Sequence, residues 1–249
     1  MANSGARIAR SATAERFSAE VFEDASGESL PYRLLLPEYV GSTRLPLVLF
    51  LHGLAESGTD NRKQLEVCVG SFVRAQSEYP SFVLAPQCPI KEKGEPWGWT
   101  DVRPRELLEN RRPTMEIGKH LRLTLELVTL LEKQFPIDKS RLYALGISMG
   151  GFGTWELIGQ RPGLFAAAVP ICGGGDPGFA KSLAKTPVWA FHGGKDEIVL
   201  PEFSRRTVNA IRKQGGKPRY TEFPTIGHNC WDEAFATPEV ITWMFSQKL

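Results

Sequence analysis

Short apolar runs alternate with longer amphipathic stretches along the chain, and this alternation predicts its architecture. The apolar runs are bounded by turn residues and are typical of strands buried in a sheet. A hairpin at one edge is predicted where the segment 24–27, Asp-Ala-Ser-Gly, separates the first two runs. The expected strands are Ser18 to Glu23, Leu30 to Leu36, Leu45 to His52, Ser81 to Pro86, Arg141 to Ile147, Ala166 to Cys172, Pro187 to His192 and Arg219 to Phe223.

The amphipathic stretches are predicted to be helices. They are Asn61 to Val73, Thr114 to Lys133, Met149 to Gln160, Pro201 to Lys213 and Pro238 to Gln247. In the second, apolar residues recur three to four positions apart, which places them on one core-facing stripe. Strands that alternate with helices predict the α/β class, with a mostly parallel central sheet of about eight strands flanked by helices.

The 249 residues are enough for one large core, so a single domain over residues 13–249 is expected. Residues 1–12 are small and polar and are expected to form a disordered tail. The segment 87–112 breaks the periodic pattern with Pro, Gly, Trp and charged residues. Long loops in compact domains are often functional, so this segment is expected to be a loop near the active site.

Charge and hydropathy exclude several classes of partner. The 30 basic and 28 acidic residues leave a formal net charge of +2, too small to recruit nucleic acid or an anionic membrane. The longest apolar run, residues 45–51, is far shorter than the roughly 20 residues that span a bilayer. The N-terminal segment lacks the apolar stretch of a secretion signal, which favours a cytoplasmic protein, although secretion of a processed form is left open. We expect a small-molecule partner, and the oligomeric state is left open.

No metal or redox centre is expected from the spacing of cysteines and histidines. The cysteines form no Cys-x-x-Cys pair, and the four histidines form no His-Glu-x-x-His motif. Reduced, mostly buried thiols are therefore expected, and whether any of them pair is left open. Cys230 is expected to be a buried filler, the alternative being that it lines the site beside His228. The four cysteines are Cys68, Cys88, Cys172 and Cys230.

The segment 146–150 reads Gly-Ile-Ser-Met-Gly and joins a predicted strand to a predicted helix. This Gly-x-Ser-x-Gly pattern predicts a sharp turn that exposes the hydroxyl of Ser148 at the carboxyl end of the sheet. Glycines are needed at 146 and 150 because side chains there would collide as the strand and helix pack. Ser148 is therefore the candidate nucleophile.

A serine nucleophile needs a histidine base, and that histidine needs a carboxylate to fix its tautomer. Only His192 and His228 follow Ser148. His228 lies in a loop after the last predicted strand and is the candidate base, whereas His192 ends a buried strand and is expected to be structural.

Asp196 lies in a Gly-rich loop after a strand and is the candidate acid, with the chain order Ser, Asp, His. Glu197, Asp176 and Asp232 remain alternatives, although they also suit turns or helix caps.

Acyl transfer also requires N–H groups that meet the developing negative charge on the carbonyl oxygen. We expect these donors to be the backbone N–H groups of Leu54, in the turn after the third strand, and of Met149, which follows the nucleophile. His52 belongs to that turn and is expected to brace it by hydrogen bonding.

Trp97 and Trp99 are expected to line the substrate pocket. The alternative is that they pin the long loop to the core.

Taken together, five segments resemble serine esterases of the α/β-hydrolase superfamily, near the group of carboxylesterases, dienelactone hydrolases and polyhydroxybutyrate-depolymerase-like proteins that includes predicted peptidases. The resemblance covers the chain from about Phe17 to its end. It implies a Ser148, His228 and Asp196 triad, an oxyanion hole at Leu54 and Met149, and no cofactor. The segments are 51–61, 85–89 with Trp97 and Trp99, 146–151, 192–196 and 227–232.

The leading hypothesis is a carboxylesterase that hydrolyses short-chain soluble esters through an acyl-enzyme. The segment 87–112 is too short for the large lid of a lipase, which favours acyl groups of about C2 to C6. A peptidase or amidase, or a polyester or feruloyl esterase, could use the same triad. A catalytically inactive binding protein is a third hypothesis, which the presence of all three triad residue types disfavours.

Overall fold

A computed structural model describes residues 13–38, 43–89, 98–100 and 116–249. Eight strands of this part of the chain form a single sheet. They are β1 (Phe17–Glu23), β2 (Ser29–Leu35), β3 (Leu45–Leu51), β4 (Phe82–Pro86), β5 (Ile137–Ile147), β6 (Ala167–Ile171), β7 (Trp189–Gly193) and β8 (Arg219–Phe223).

The strands lie in the order β1-β2-β4-β3-β5-β6-β7-β8. Strand β2 pairs antiparallel with both β1 and β4, whereas every pair from β4 to β8 is parallel. The hairpin predicted at one edge of the sheet is therefore present. Because the strands from β3 to β8 run in one direction, their carboxyl ends meet at one edge, where ligands bind in sheets of this kind.

The α-helices of the described residues pack on both faces of the sheet. Two clusters of buried side chains, one on each face, form the core. The central strands read as continuous apolar runs because both of their faces are covered. The helices are α1 (Val69–Ala75), α2 (Lys119–Gln134), α3 (Met149–Gln160), α4 (Ala180–Leu183), α5 (Glu202–Lys213), α6 (Trp231–Ala236) and α7 (Glu239–Ser246).

The predicted class is confirmed, and most boundaries lie within a few residues of those expected. The helix predicted over residues 61–73 is instead a 3₁₀ turn at Lys63–Leu65 followed by α1. Strand β5 begins four residues before the predicted start at Arg141. The predicted tail at 1–12 lies outside the described residues, as does most of the 87–112 segment. Among the described residues, no helix has both the length and the apolarity needed to cross a membrane.

Candidate active site

Ser148 occupies a sharp turn between β5 and α3. Its backbone has φ of 51° and ψ of −116°, a strained conformation for a residue with a side chain. A Cβ atom on Gly146 would lie 2.3 Å from the carbonyl oxygen of Gly150, and one on Gly150 would lie 2.0 Å from the carbonyl oxygen of Leu51. Both positions therefore exclude any side chain, and this close packing fixes the turn that presents Ser148.

A line of hydrogen bonds joins Ser148, His228 and Asp196. The Ser148 Oγ atom lies 2.9 Å from Nε2 of His228. On the opposite side of the ring, Nδ1 of His228 donates to Oδ2 of Asp196 at 2.7 Å. The side chains come from the carboxyl ends of β5, β7 and β8, which explains how residues far apart in sequence meet. In this geometry the imidazole Nε2 can accept the serine proton.

Asp196 is held as an anion by its surroundings. Its Oδ1 accepts the N–H groups of Ile198 and Val199, both at 2.9 Å. Burial of the carboxyl opposes ionisation, but hydrogen bonds from His192 and His228 and from the Val199 N–H outweigh it and hold the pKa of Asp196 well below its usual range. A carboxylate that stays ionised can orient His228 and stabilise the imidazolium.

His192 contacts the same carboxylate oxygen of Asp196 as His228 does. It is fully buried, and its Nε2 lies 3.2 Å from Oδ2 of Asp196. Its ring nitrogens also have partners in the Ser204 hydroxyl at 2.7 Å and the Val199 carbonyl at 2.8 Å. His192 therefore supports Asp196 from within the buried part of the fold.

The three alternative carboxylates lie in other environments. Asp176 caps a 3₁₀ turn by accepting the N–H of Gly178 at 2.7 Å. Glu197 is exposed, and Asp232 is an exposed residue in the first turn of α6. Asp196 is the one of these four carboxylates that the structure places against His228.

The loop after β3 lies beside the nucleophile. A Cβ atom on Gly53 would lie 3.6 Å from the Cβ of Ser148, so the backbone of this loop closely approaches the serine. Leu54 begins a 3₁₀ turn in the loop, and Met149 is the first residue of α3. The first N–H groups of a helix have no acceptor within it, so the backbone N–H of Met149 is suited to receive negative charge.

His52 braces this loop with both ring nitrogens. Its Nδ1 donates to the carbonyl of Gly53 at 2.6 Å, and its Nε2 accepts the N–H of Cys88 at 2.9 Å. Burial lowers the pKa of His52 to about 4, so the ring is neutral at physiological pH. A fixed neutral ring ties the loop after β3 to the chain after β4.

Gln87 also ties the loop after β3 to the chain after β4, a role that the sequence reasoning missed. Its side-chain nitrogen donates to the Glu56 carbonyl and to an Asp60 carboxylate oxygen, both at 3.1 Å, and its oxygen accepts the Asn61 N–H at 2.6 Å. A buried glutamine directly after a buried strand is the sequence signal that could have indicated it, because such a side chain needs partners.

A cavity of about 550 Å³ opens at Ser148 and His228. Most of its wall is apolar, although it also includes Glu56 and Asn229. The sequence reasoning missed several of the wall residues, although Ile198 and Val199 lie only two and three positions after the candidate acid. The apolar side chains that line it are Leu54, Ala55, Ile147, Ile198, Val199, Phe203 and Trp231.

Trp99, expected to line the pocket, is placed in the core. Its side chain is fully buried, and its indole N–H donates to the His52 carbonyl at 3.0 Å. This placement matches the alternative in which the tryptophan pins the loop to the core, because a fully buried ring cannot touch a substrate in this conformation. Trp97 lies outside the described residues.

Two thiols, those of Cys172 and Cys230, lie close to the backbone of His228. The sulfur atoms of Cys172 and Cys230 are 2.8 Å apart, and the Cys172 thiol donates to the His228 carbonyl at 3.0 Å. Cys88, Cys172 and Cys230 are buried, and Cys68 is partly exposed. Cys172, Asp196 and His228 also lie close enough to offer ligands to one metal ion, although in this geometry the carboxylate and the imidazole bind each other.

Residues 24–189 match the model of the esterase family described as "Putative esterase". The chain belongs to this esterase family. The match includes Ser148 and the loop after β3 and ends before Asp196 and His228. The candidate roles of Asp196 and His228 therefore rest on the hydrogen-bond geometry described above and not on the family match.

The chain is also similar to a solved structure and to curated proteins. A thermostable esterase superposes with a TM-score of 0.85 at 36% identity, covering 96% of this chain and 64% of that one. A mouse (Mus musculus) S-formylglutathione hydrolase is 27% identical over 165 residues, 61% of this chain and 57% of that protein. Poly(3-hydroxyalkanoate) depolymerase C of Paucimonas lemoignei is 23% identical over 232 residues, 80% of this chain and 53% of that protein. The chain thus spans less than two thirds of each.

Proposed function

We propose that this esterase-family chain hydrolyses carboxylic esters of short, soluble acyl groups through an acyl-enzyme on Ser148. The observation that carries the proposal is the hydrogen-bonded line from Asp196 through His228 to Ser148, with distances of 2.7 and 2.9 Å. Such a line activates a hydroxyl that would otherwise be a weak nucleophile.

In the proposed reaction, Ser148 Oγ attacks the ester carbonyl carbon while Nε2 of His228 takes its proton. The carbonyl oxygen becomes negatively charged and accepts hydrogen bonds from the backbone N–H groups of Leu54 and Met149. The imidazolium, stabilised by the Asp196 carboxylate, then protonates the leaving alcohol oxygen. In the second half of the reaction, Nε2 of His228 takes a proton from water as the water oxygen attacks the acyl-enzyme carbonyl. The imidazolium then returns this proton to Ser148 Oγ, and the carboxylic acid is released.

The apolar cavity supports a small acyl group. A volume of about 550 Å³ lies within the range usual for sites that bind small ligands. Leu54 and Ile198 line it and are each more than half exposed, so apolar surface is available at its mouth. Acyl groups of about C2 to C6 fit a site of this kind.

Labelling by a fluorophosphonate, together with hydrolysis of 4-nitrophenyl acetate and butyrate, tests the proposal. Ser148→Ala should abolish both, because the nucleophile is removed while the core packing is untouched. Ser77→Ala, at an exposed serine in a turn, is the matched control and should behave as the wild type. Labelling or near-normal turnover in a folded Ser148→Ala variant would contradict the proposal, and faster cleavage of the matching anilide would favour an amidase.

A further inference from the structure

A second cavity, of about 560 Å³, lies beside the cavity that holds Ser148. The two have Asn229 and Trp231 in common in their walls. Trp231 is also in edge-to-face contact with the His228 ring, with ring centroids 5.8 Å apart. The shared residues therefore mark the boundary between the two cavities, directly beside the candidate base.

The position of His228 indicates which part of an ester this second cavity would face. In the proposed reaction, His228 must reach the leaving oxygen to protonate it, so the alcohol part of the ester lies on the His228 side of the scissile bond. Asn229 and Trp231 follow His228 in the chain and line both cavities, and Trp231 contacts the His228 ring. The second cavity therefore begins beside His228, where the alcohol part would lie, and this arrangement would leave the apolar first cavity for the acyl group.

The chemistry of the two walls differs accordingly. The second cavity contains the acidic residues Glu66 and Asp232 and the basic residue Arg74, together with the amide of Asn229. These side chains offer hydrogen-bond donors and acceptors. Two aromatic rings, Trp231 and Phe235, also line the cavity.

We propose that the second cavity binds a neutral, hydroxyl-rich alcohol part of the substrate, such as one sugar unit, while its acyl group occupies the first cavity. A sugar ring presents an apolar C–H face that can pack on aromatic rings, and its hydroxyl groups need both donors and acceptors. Charges of both signs in the wall disfavour an alcohol part with a single strong charge, because one set of side chains would repel it. This inference rests on the proposed esterase function.

The test compares acetate esters that differ only in their alcohol part. The probes are 6-O-acetylglucose, ethyl acetate and acetylcholine, and the measured quantity is kcat/KM for each. The wild type should favour 6-O-acetylglucose over ethyl acetate by about tenfold, the effect of one or two hydrogen bonds realised in the transition state. A ratio near one, or a preference for acetylcholine over the sugar ester, would overturn the proposal.

Variants of the wall identify the cause of the preference, because intrinsic ester reactivity cancels when ratios are compared. Asp232→Asn should lower the ratio of 6-O-acetylglucose to ethyl acetate by about threefold to tenfold. Ala236→Trp, which fills the cavity from an exposed position, should lower it by about tenfold. Glu239→Gln, at an exposed residue that does not line the cavity, is the matched control and should leave the ratio unchanged.

Equal losses for both esters in Asp232→Asn and Ala236→Trp would show a structural effect and overturn the subsite. The proposed function can fail separately. If the wild type hydrolyses none of the acetate esters, both the subsite and the esterase function are wrong. If it hydrolyses ethyl acetate at a rate that Ser148→Ala abolishes, but without a preference for the sugar ester, only the subsite is wrong.

Discussion

Mild acid should destabilise the protein through His52. Its Nε2 accepts the N–H of Cys88, and a proton on that nitrogen would set two donors against each other. Burial lowers the pKa of His52 from 6.5 to about 4. Between these two pH values the unfolded chain binds a proton at His52 and the folded chain does not, so the free energy of unfolding falls as the pH falls.

The size of the effect follows from the two pKa values. At pH 5 the unfolded histidine is almost fully protonated, while the folded one is still mostly neutral. The linkage relation then gives a loss of about 2 kcal/mol between pH 7.5 and pH 5 from this residue. Because His52 is fully buried, solvent screening does not reduce this contribution.

Urea unfolding at pH 7.5 and pH 5 measures the effect in the wild type and in His52→Gln. Glutamine retains a donor and an acceptor but does not titrate in this range. The variant is expected to be less stable at pH 7.5, yet to lose about 2 kcal/mol less than the wild type between the two pH values. Equal losses in the two proteins, despite titration of their other groups, would show that His52 does not remain neutral in the fold.

Three further experiments test the site and its support. Asp196→Asn should lower kcat by about 10⁴ in an ester assay, whereas Asp176→Asn, at a turn cap, should change kcat little. A larger loss of kcat in Asp176→Asn would show that Asp176 is the carboxylate that supports His228. Gly150→Ala should lower the free energy of unfolding in urea by about 3 kcal/mol because its Cβ meets the β3 backbone, and a stable variant would refute that clash. Trp99→Ala should cost about 3 to 5 kcal/mol of stability, and a cost below 1 kcal/mol would mean that the indole is not buried.

The central strands and the turn at Ser148 could be predicted from the sequence because local chemistry determines them. Strands β3 and β6 are nearly continuous apolar runs, and Gly150 permits a contact that any other residue would block. The helix α3 was predicted with its observed boundaries. These features require no knowledge of distant parts of the chain.

Features that depend on distant contacts were missed. The helix predicted over 61–73 is interrupted at Asn61. Its backbone N–H donates to the Gln87 side chain, and its own side-chain oxygen accepts a hydrogen bond from Gln64, contacts that propensity cannot reveal. Trp99 reads equally well as a pocket wall or a core residue until its neighbour His52 is known. The second cavity likewise combines residues of α1 and α6 that lie far apart in sequence.

The loops after β7 and β8 are hydrogen-bonded to each other at the edge of the sheet. The Gly194 N–H donates to the Phe223 carbonyl, and the Lys195 N–H donates to the Ile226 carbonyl, so a movement of one loop would also move the other. Strand β8 is an edge strand with largely half-exposed residues, the kind of element that opens before the rest of a fold. A brief local opening there would remove acid and base together and leave the serine turn on its buried strand. The fold would then remain intact for short intervals while Asp196 and His228 lie away from Ser148.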